Sequence, residues 1–528
     1  MRSLAAAVVL TLAATGDALA QPSSAAPGSC ERLASLTLSD TTIRLAQTVA
    51  AGAFQPPTGG GAPAAVQADV YRTLPPFCRV TANVSRRGDT PVGIEVWLPL
   101  ANWNGEFRPA ASGFAGGAVT YAGMADVLKQ GWATANTNRG HDAGVEWKLS
   151  DMTGVPVHLM TVTGKALITA FYQRAPSLTL MNECGGGGSR DALQLVQQFP
   201  EDLDAAAAVG FVYDATHHGI GQMWVYQATH KTPAHYVPPS KYALINRAVL
   251  AACDGKDGLV DGVIADPPRC GFDASTLACK ASRPGGTAVD RADCLTAPQI
   301  EAVKQIYSPA VHARTGKYLF APMVPGGELM WEPMAGPTPY PYTEGFYRNA
   351  VFHDQGWDIT RGIPNFDTHV DLAEAPANEA INATGGDLSR FIGRGGKLLL
   401  IGGWNDHTLA PGSFVDYYES VVKTTSLERA RDSVRLFMVP GMDHCLGSTT
   451  YGPLHTMDVA GELRRWKASG KAPDTLVVTT HKADGTEDLR RPVCAYPQVP
   501  RYRGQGSPAD PANFACVAPE ASPRSAVW

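Results

Sequence analysis

Two short runs do most to limit the architecture open to this chain. KLLLI (397–401) and RLFMV (435–439) are each a leading cation followed by four apolar residues. They lack the alternation of a strand with one wet face and are too short for helices, so each reads as a strand covered on both sides. Such strands belong to parallel sheets, whose crossovers are helices. The remaining pattern agrees. Residues 162–172 read as a helix and 178–181 as a strand, and the following segment sets Ala192, Leu195, Val196 and Phe199 on one helical face. Residues 132–135 form another apolar strand, while 78–83 and 92–98 alternate like the antiparallel edge of a sheet. The expected fold class is α/β.

Between 211 and 394 the alternation gives way to Pro/Gly-rich loops, aromatics and four cysteines, Cys253, Cys270, Cys279 and Cys294. A break of that length between sheet strands reads as an inserted lid domain, where substrate specificity commonly resides. The N-terminus has Arg2, an apolar run over 4–14 and a small-residue site at Ala18-Leu19-Ala20. It reads as a signal peptide removed after Ala20, too short to span a bilayer. The expected organisation is a signal peptide over 1–20, a catalytic domain over 21–210 and 395–528, and a lid over 211–394.

A formal charge of -5 with scattered Lys and Arg argues against nucleic acid or an anionic membrane as partner and favours a small-molecule substrate. No other segment is apolar enough to span a membrane, so a secreted or periplasmic protein is expected. Ten cysteines in an exported chain imply up to five disulfides. Short separations suggest Cys253 with Cys270, Cys279 with Cys294 and Cys494 with Cys516. Cys30, Cys78, Cys184 and Cys445 are left over, their pairing open.

Two segments carry candidate chemistry. In IGGWNDHTLAP, Asp406 follows the first apolar strand; in MVPGMDHCLG, His444 follows the second. Nucleophile, acid, histidine is the chain order of α/β-hydrolases, each residue on a loop at the carboxyl end of a strand. The position for a nucleophile is the strand-to-helix turn NECGGGGSRDA (182–192).

The chain resembles the tannase and feruloyl esterase family of α/β-hydrolases, which also includes mono(2-hydroxyethyl) terephthalate hydrolase. The resemblance is carried by WNGEF (103–107), GFAGG (113–117), GWATANTNRGHD (131–142), ALITAFYQRAP (166–176) and QQFPEDLDA (197–205). It continues through CDGKDGLVDGVIADPPRC (253–270), VFHDQGWD (351–358), DLSRFIGRGGKLLLIGGWND (387–406), VPGMDHC (439–445) and CAYPQVPRYRGQG (494–506). It implies an α/β-hydrolase fold with a large, disulfide-rich lid and cleavage of esters of aromatic, phenolic carboxylic acids. Asp406 and His444 would be the catalytic acid and histidine. A disulfide between Cys184 and Cys445 would tie the elbow to the histidine loop, leaving Cys30 with Cys78. A structural calcium ion in the lid is also implied, held by Asp254, Asp257 and Asp261 with the carbonyls of Leu259 and Val263, an all-oxygen set suited to a hard cation.

One departure is decisive. The family's elbow reads G-C-S-x-G-G-R, but Cys184 is followed by Gly185; aligning on the helix instead places the serine at Gly186. Ser189, about a turn further on, is a weak substitute, and Cys184 can attack only if it is not disulfide-bonded. Removing the serine from a serine hydrolase costs about 10⁶ in turnover. The sequence therefore leaves three readings: direct attack by histidine-activated water, a lyase or isomerase reaction using His444 as base, or a catalytically inactive binding homologue. The glycines themselves read either as an anion-holding nest for a carboxylate or enolate or as a loop loosened after loss of the serine. In the lid, His217, His218, Trp224, Phe346 and Trp357 read as packing residues before ligand contacts. The sequence carries no signal for oligomeric state.

Overall fold

The computed structural model describes residues 29–57, 69–110, 117–141, 148–280, 289–447 and 453–519. The expected signal peptide and most of GFAGG lie outside the described residues. A nine-stranded sheet organises the chain. Its strands are β1 (Thr41–Val49), β2 (Phe77–Arg86), β3 (Asp89–Pro99), β4 (Glu106–Pro109), β5 (Ala133–Thr137), β6 (Leu178–Cys184), β7 (Ala205–Val209), β8 (Lys397–Gly403) and β9 (Val434–Val439). Their spatial order is β1-β2-β3-β5-β4-β6-β7-β8-β9. The pairs from β1 to β5 are antiparallel. From β5 through β4 to β9 every pair is parallel.

The two apolar runs are β8 and β9, adjacent and in parallel register from Leu398 opposite Val434 to Gly403 opposite Val439. Both faces are covered. Leu398 and Leu400 enter a core shared with α2 (Val155–Tyr172), α3 (Gly185–Gln198) and α5 (Gly412–Thr425); Leu399 and Ile401 enter a second core with α6 (Val459–Ser469) and α1 (Tyr121–Lys129). Each large aliphatic side chain so buried contributes about 1.5–3 kcal/mol of transfer free energy, which is what holds an unalternating run in the middle of a sheet.

Several expectations are refined. The helix expected over 162–172 starts at Val155, with Pro156 in its first turn where a missing N–H costs nothing. β2 and β3 are interior strands and β1 is the edge. AAAAV, the interior strand β7, went unread: alanine favours helices, but flanking strands on both sides and helices on both faces override that preference. Residues 453–519 add a three-stranded antiparallel sheet of Leu454–Thr456, Thr475–His481 and Glu487–Cys494.

The chain leaves the sheet after β7 and rejoins it at β8, so residues 210–396 form an excursion between neighbouring strands. It is more helical than its loop-rich composition suggested, with α4 (Ala215–His230) and shorter helices at Tyr242–Cys253 and Ala297–Ile306. Five disulfides form, Cys30–Cys78, Cys184–Cys445, Cys253–Cys270, Cys279–Cys294 and Cys494–Cys516. No helix of the described residues is long and apolar enough to cross a membrane.

Candidate active site

Three strand ends converge. β6 passes directly into α3, and the junction residue Gly185 has φ +78°, the left-handed conformation a sharp strand-to-helix elbow requires. A Cβ added at Gly185 would stand 3.3 Å from His444 Nε2. Of the two alignments open in the sequence, the one that puts the elbow residue directly after Cys184 therefore aims a side chain at the imidazole. The Cys184–Cys445 disulfide closes the same junction from below, joining the residue before the elbow to the residue after His444. It also removes Cys184 as a nucleophile.

Asp406 lies just past β8 and His444 just past β9. The two loops run side by side, with Trp404 N donating to Val439 O and Asn405 N to Met442 O, both at 3.0 Å. The exit of β7 presses on them as well: a Cβ on Gly210 would come within 2.2 Å of the His444 carbonyl, so only glycine permits this approach. Asp406 Oδ2 meets His444 Nδ1 at 2.8 Å. Its Oδ1 accepts from the Thr408 and Leu409 amides, each at 2.9 Å. The carboxylate side chain is wholly buried, whereas a fifth of the His444 side chain is exposed. An oriented base thus has its Nε2 edge toward the elbow.

The electrostatics fit that role. Burial alone would push the Asp406 carboxyl up, but the His444 imidazole, His407 and the Leu409 amide hold it below the usual range. Burial pulls His444 down, yet Asp406 and then Asp443 outweigh it, leaving the imidazole above its ordinary value. His218, on α4, is pushed down to about 3 by burial, with Asp406 opposing and His444 adding to the shift, so it stays neutral beside the pair. Beneath α3, Arg139 donates to Asp191 Oδ1 at 3.1 Å, both side chains fully buried, which pins the loop after β5 to the elbow helix.

Ser189 is fully buried and its hydroxyl donates to the Gly185 carbonyl one turn back along α3. It is engaged within the helix and not presented to His444. The ring-bearing residues singled out between 211 and 394 are held by packing and hydrogen bonds. Phe346 and Trp357 are buried, and Trp224 donates to the Gln305 and Ser308 carbonyls at 3.1 Å. His217 sits between Asp214 and Glu374, at 2.6 and 2.9 Å, with proton affinity raised to about 9 because the two carboxylates outweigh burial. Sequence reasoning missed Thr408, whose hydroxyl lies 3.3 Å from Asp406 Oδ1 and 3.4 Å from His444 Nδ1, and Gln222, which donates to the Thr408 carbonyl at 3.0 Å. Thr408 was findable as the third residue of an Asx turn started by Asp406; Gln222 gave no local signal.

The loop expected to hold calcium ties its carboxylates to its own backbone amides. Asp254 accepts from the Asp261 and Gly262 amides at 3.2 and 2.9 Å, Asp257 from Leu259 at 3.0 Å and Asp261 from Val263 at 3.2 Å. Burial raises the Asp257 carboxyl to about 6; the Leu259 amide opposes this, and the charges of Asp261 and Asp254 add to it. Arg491 pairs with Asp261 at 2.8 Å. The carboxylates of Asp254, Asp257 and Asp261 are hard oxygen donors of the kind calcium takes, but their oxygens are not all drawn within 4.8 Å of one another. Among the described residues, three ligand atoms come within 4.8 Å of one another at His312, Asp367 and Asp371, but there Arg314 already pairs with both carboxylates.

Known proteins resemble the chain along most of its length. An esterase of Xanthomonas campestris pv. campestris is 34% identical over 572 residues, spanning 98% of this chain and 95% of that protein. A probable feruloyl esterase B-1 of Aspergillus fumigatus is 30% identical over 491 residues, spanning 88% and 89%. The crystal structure of feruloyl esterase B from Aspergillus oryzae superposes with a TM-score of 0.80 at 26% identity, covering 93% of this chain and 99% of that one. Tannin acyl hydrolase from Aspergillus niger, at 21% identity and a TM-score of 0.73, shares the fold. With residues 78–517 matching the pattern of the tannase and feruloyl esterase family, on an α/β-hydrolase sheet whose strand ends carry Gly185, Asp406 and His444, the chain belongs to that family.

Proposed function

We propose that the protein hydrolyses esters of phenolic carboxylic acids by direct attack of water, with His444 as general base and Asp406 as its orienting acid. The observation that carries this reading is the aim of Gly185: a Cβ there would stand 3.3 Å from His444 Nε2, but the residue has no side chain to attack with. In the proposed cycle a water hydrogen-bonded to Nε2 gives up a proton to it as its oxygen attacks the ester carbonyl. The N-terminal amides of α3, which have no side-chain cap, receive the developing oxyanion. The tetrahedral intermediate then collapses. Its C–O bond to the alcohol breaks, the proton passes from Nε2 to the leaving oxygen, and acid and alcohol are released without an acyl-enzyme.

The family and the relatives above support the substrate class. The lid role of residues 211–394 is part of this proposal, since Gln222 and His218 on α4 reach the Asp406–His444 loops. So is a structural calcium held by Asp254, Asp257 and Asp261 with the Leu259 and Val263 carbonyls. Five disulfides suit an oxidising compartment, in line with export.

The deciding experiment follows release of acid from methyl esters of hydroxycinnamic and hydroxybenzoic acids by wild type and His444→Ala, with a fluorophosphonate probe applied to both. The expected result is slow turnover without a burst, lost in His444→Ala, and no labelling. Labelling at Ser189, or turnover untouched by His444→Ala, overturns the water mechanism. No turnover of any such ester leaves the lyase or isomerase reaction and the binding homologue.

A further inference from the structure

The loops after β8 and β9 each carry an Asp-His dipeptide, Asp406-His407 and Asp443-His444, and the two dipeptides pair crosswise. Asp406 holds His444, and Asp443 holds His407 through its Nδ1. Adjacent parallel strands, with Gly403 opposite Val439, bring the two loops that follow them alongside each other. In such an arrangement the Asp of each loop reaches the His of the other. The second pair is as deeply placed as the first, with Asp443 and His407 only 2% and 6% exposed. The two imidazoles meet edge to face, ring centres 5.9 Å apart and planes at 77°. Asp443 Oδ2 is buried with no hydrogen-bond partner among the described residues. Burying a carboxylate with half its acceptor capacity unused costs stability unless its charge or position serves something nearby.

We infer that Asp443 and His407 are a positioning pair for His444, clamping its loop to the Asp406 loop and placing a second carboxylate in its field. The inference rests on the reading of His444 as the base. The groups facing His444 are Asp406 and His407 across the loop boundary, Asp443 on its own loop and neutral His218 from α4; His455 faces Asp443 from the added sheet. Asp443 adds to the upward pull on His444 that Asp406 begins.

The test uses the full disulfide-bonded chain labelled with ¹⁵N-histidine, the His444 signals assigned by their loss in His444→Gln. Two signals are read: the His444 titration midpoint, and the Nδ1–H proton resonance that reports its bond to Asp406. Asp443→Asn keeps an acceptor for His407 while removing the charge, and should lower the midpoint by about half a pH unit or more. His407→Ala breaks the clamp and should shift or broaden the Nδ1–H resonance, which His407→Asn, keeping an N–H where Nδ1 stood, should restore. If Asp443→Asn does not fold, Asp443→Ser carries the same test. A folded Asp443 variant with an unchanged midpoint, or His407→Ala with an unchanged resonance, overturns the inference and leaves the pair as a packing cross-link. Both signals are read without turnover. An inactive protein showing them would count against ester cleavage and not against the positioning pair.

Discussion

Gly185→Ser tests the elbow argument most directly. A seryl Oγ extends about 1.4 Å beyond Cβ, and the Cβ position lies 3.3 Å from His444 Nε2. One staggered rotamer therefore brings the hydroxyl into the roughly 2.6–3.2 Å reach of a nucleophile–base hydrogen bond, provided the imidazole yields by a few tenths of an ångström. The cost is backbone strain: a non-glycine residue at φ +78° forfeits about 1–3 kcal/mol. That is a tolerable fraction of the stability of a five-disulfide chain.

The return is set by what a complete triad adds. A serine nucleophile accounts for about 10⁶ in turnover where all its partners are in place. A restored serine in a loop one residue longer than the family's should recover a modest part of that, about 10²-fold or more in kcat on phenolic methyl esters. It should also add a burst of alcohol and stoichiometric fluorophosphonate labelling at residue 185. Gly185→Ala is the control, because it carries the same strain and the same methylene without the hydroxyl. It should fall below wild type by placing carbon against Nε2 where the attacking water must sit. The reasoning is refuted if folded Gly185→Ser is neither labelled nor faster while Gly186→Ser is.

Other consequences are open to simpler measurements. Asp406→Asn should reduce wild-type turnover by about 10²–10⁴, the worth of an oriented general base, with far-UV circular dichroism unchanged. Turnover should rise with pH through a midpoint above the ordinary histidine value, because only neutral His444 accepts a proton and its affinity is raised. The same shifts bear on stability with opposite sign. The His444 contribution is full below its unfolded value and lost as pH rises through its folded one. That of Asp406 is present above its unfolded value and lost as pH falls through its lowered folded one. Chelation should lower the melting temperature and added calcium restore it, with Asp254→Asn insensitive to both; a chelator without effect removes the calcium assignment. Replacing Cys184 and Cys445 together by alanine should cost about 2–5 kcal/mol in denaturant titration, and turnover should fall with it because the bridge flanks both Gly185 and His444.

What the sequence disclosed follows from which forces act locally. β8 and β9 were legible because burial on both faces demands apolar residues at every position, and Asp406 and His444 because chain order and strand ends fix where a hydrolase keeps them. β7 was not, since AAAAV is a strand only through its neighbours: small side chains let α3 and α6 approach opposite faces of the sheet at that strand, a demand no local pattern expresses. The start of α2 was hidden because Pro156 reads as a breaker unless the helix is already known to begin beside it. Between Gly185 and Gly186 the sequence offered two alignments. For Gly185 the backbone supplies what no sequence shows, a left-handed dihedral angle and a Cβ direction toward His444.

The crosswise pairing bears on whether the site is a relic. In a relic site a single Asp–His pair would persist for packing alone. Here Asp406 is satisfied by two amides and by His444, and a second buried carboxylate stands close enough to His444 to raise its proton affinity further. Leaving Asp443 Oδ2 without a partner destabilises the fold by about 1–3 kcal/mol relative to a satisfied or apolar replacement. A packing core relieved of catalysis gains stability by discarding such a group, whereas a base that must take a proton from water gains from every nearby negative charge. The two views separate in one double variant: Asp443→Leu with His407→Leu, which strands neither partner, should raise the unfolding free energy if the site is a relic, and should lower wild-type turnover if His444 is still a working base.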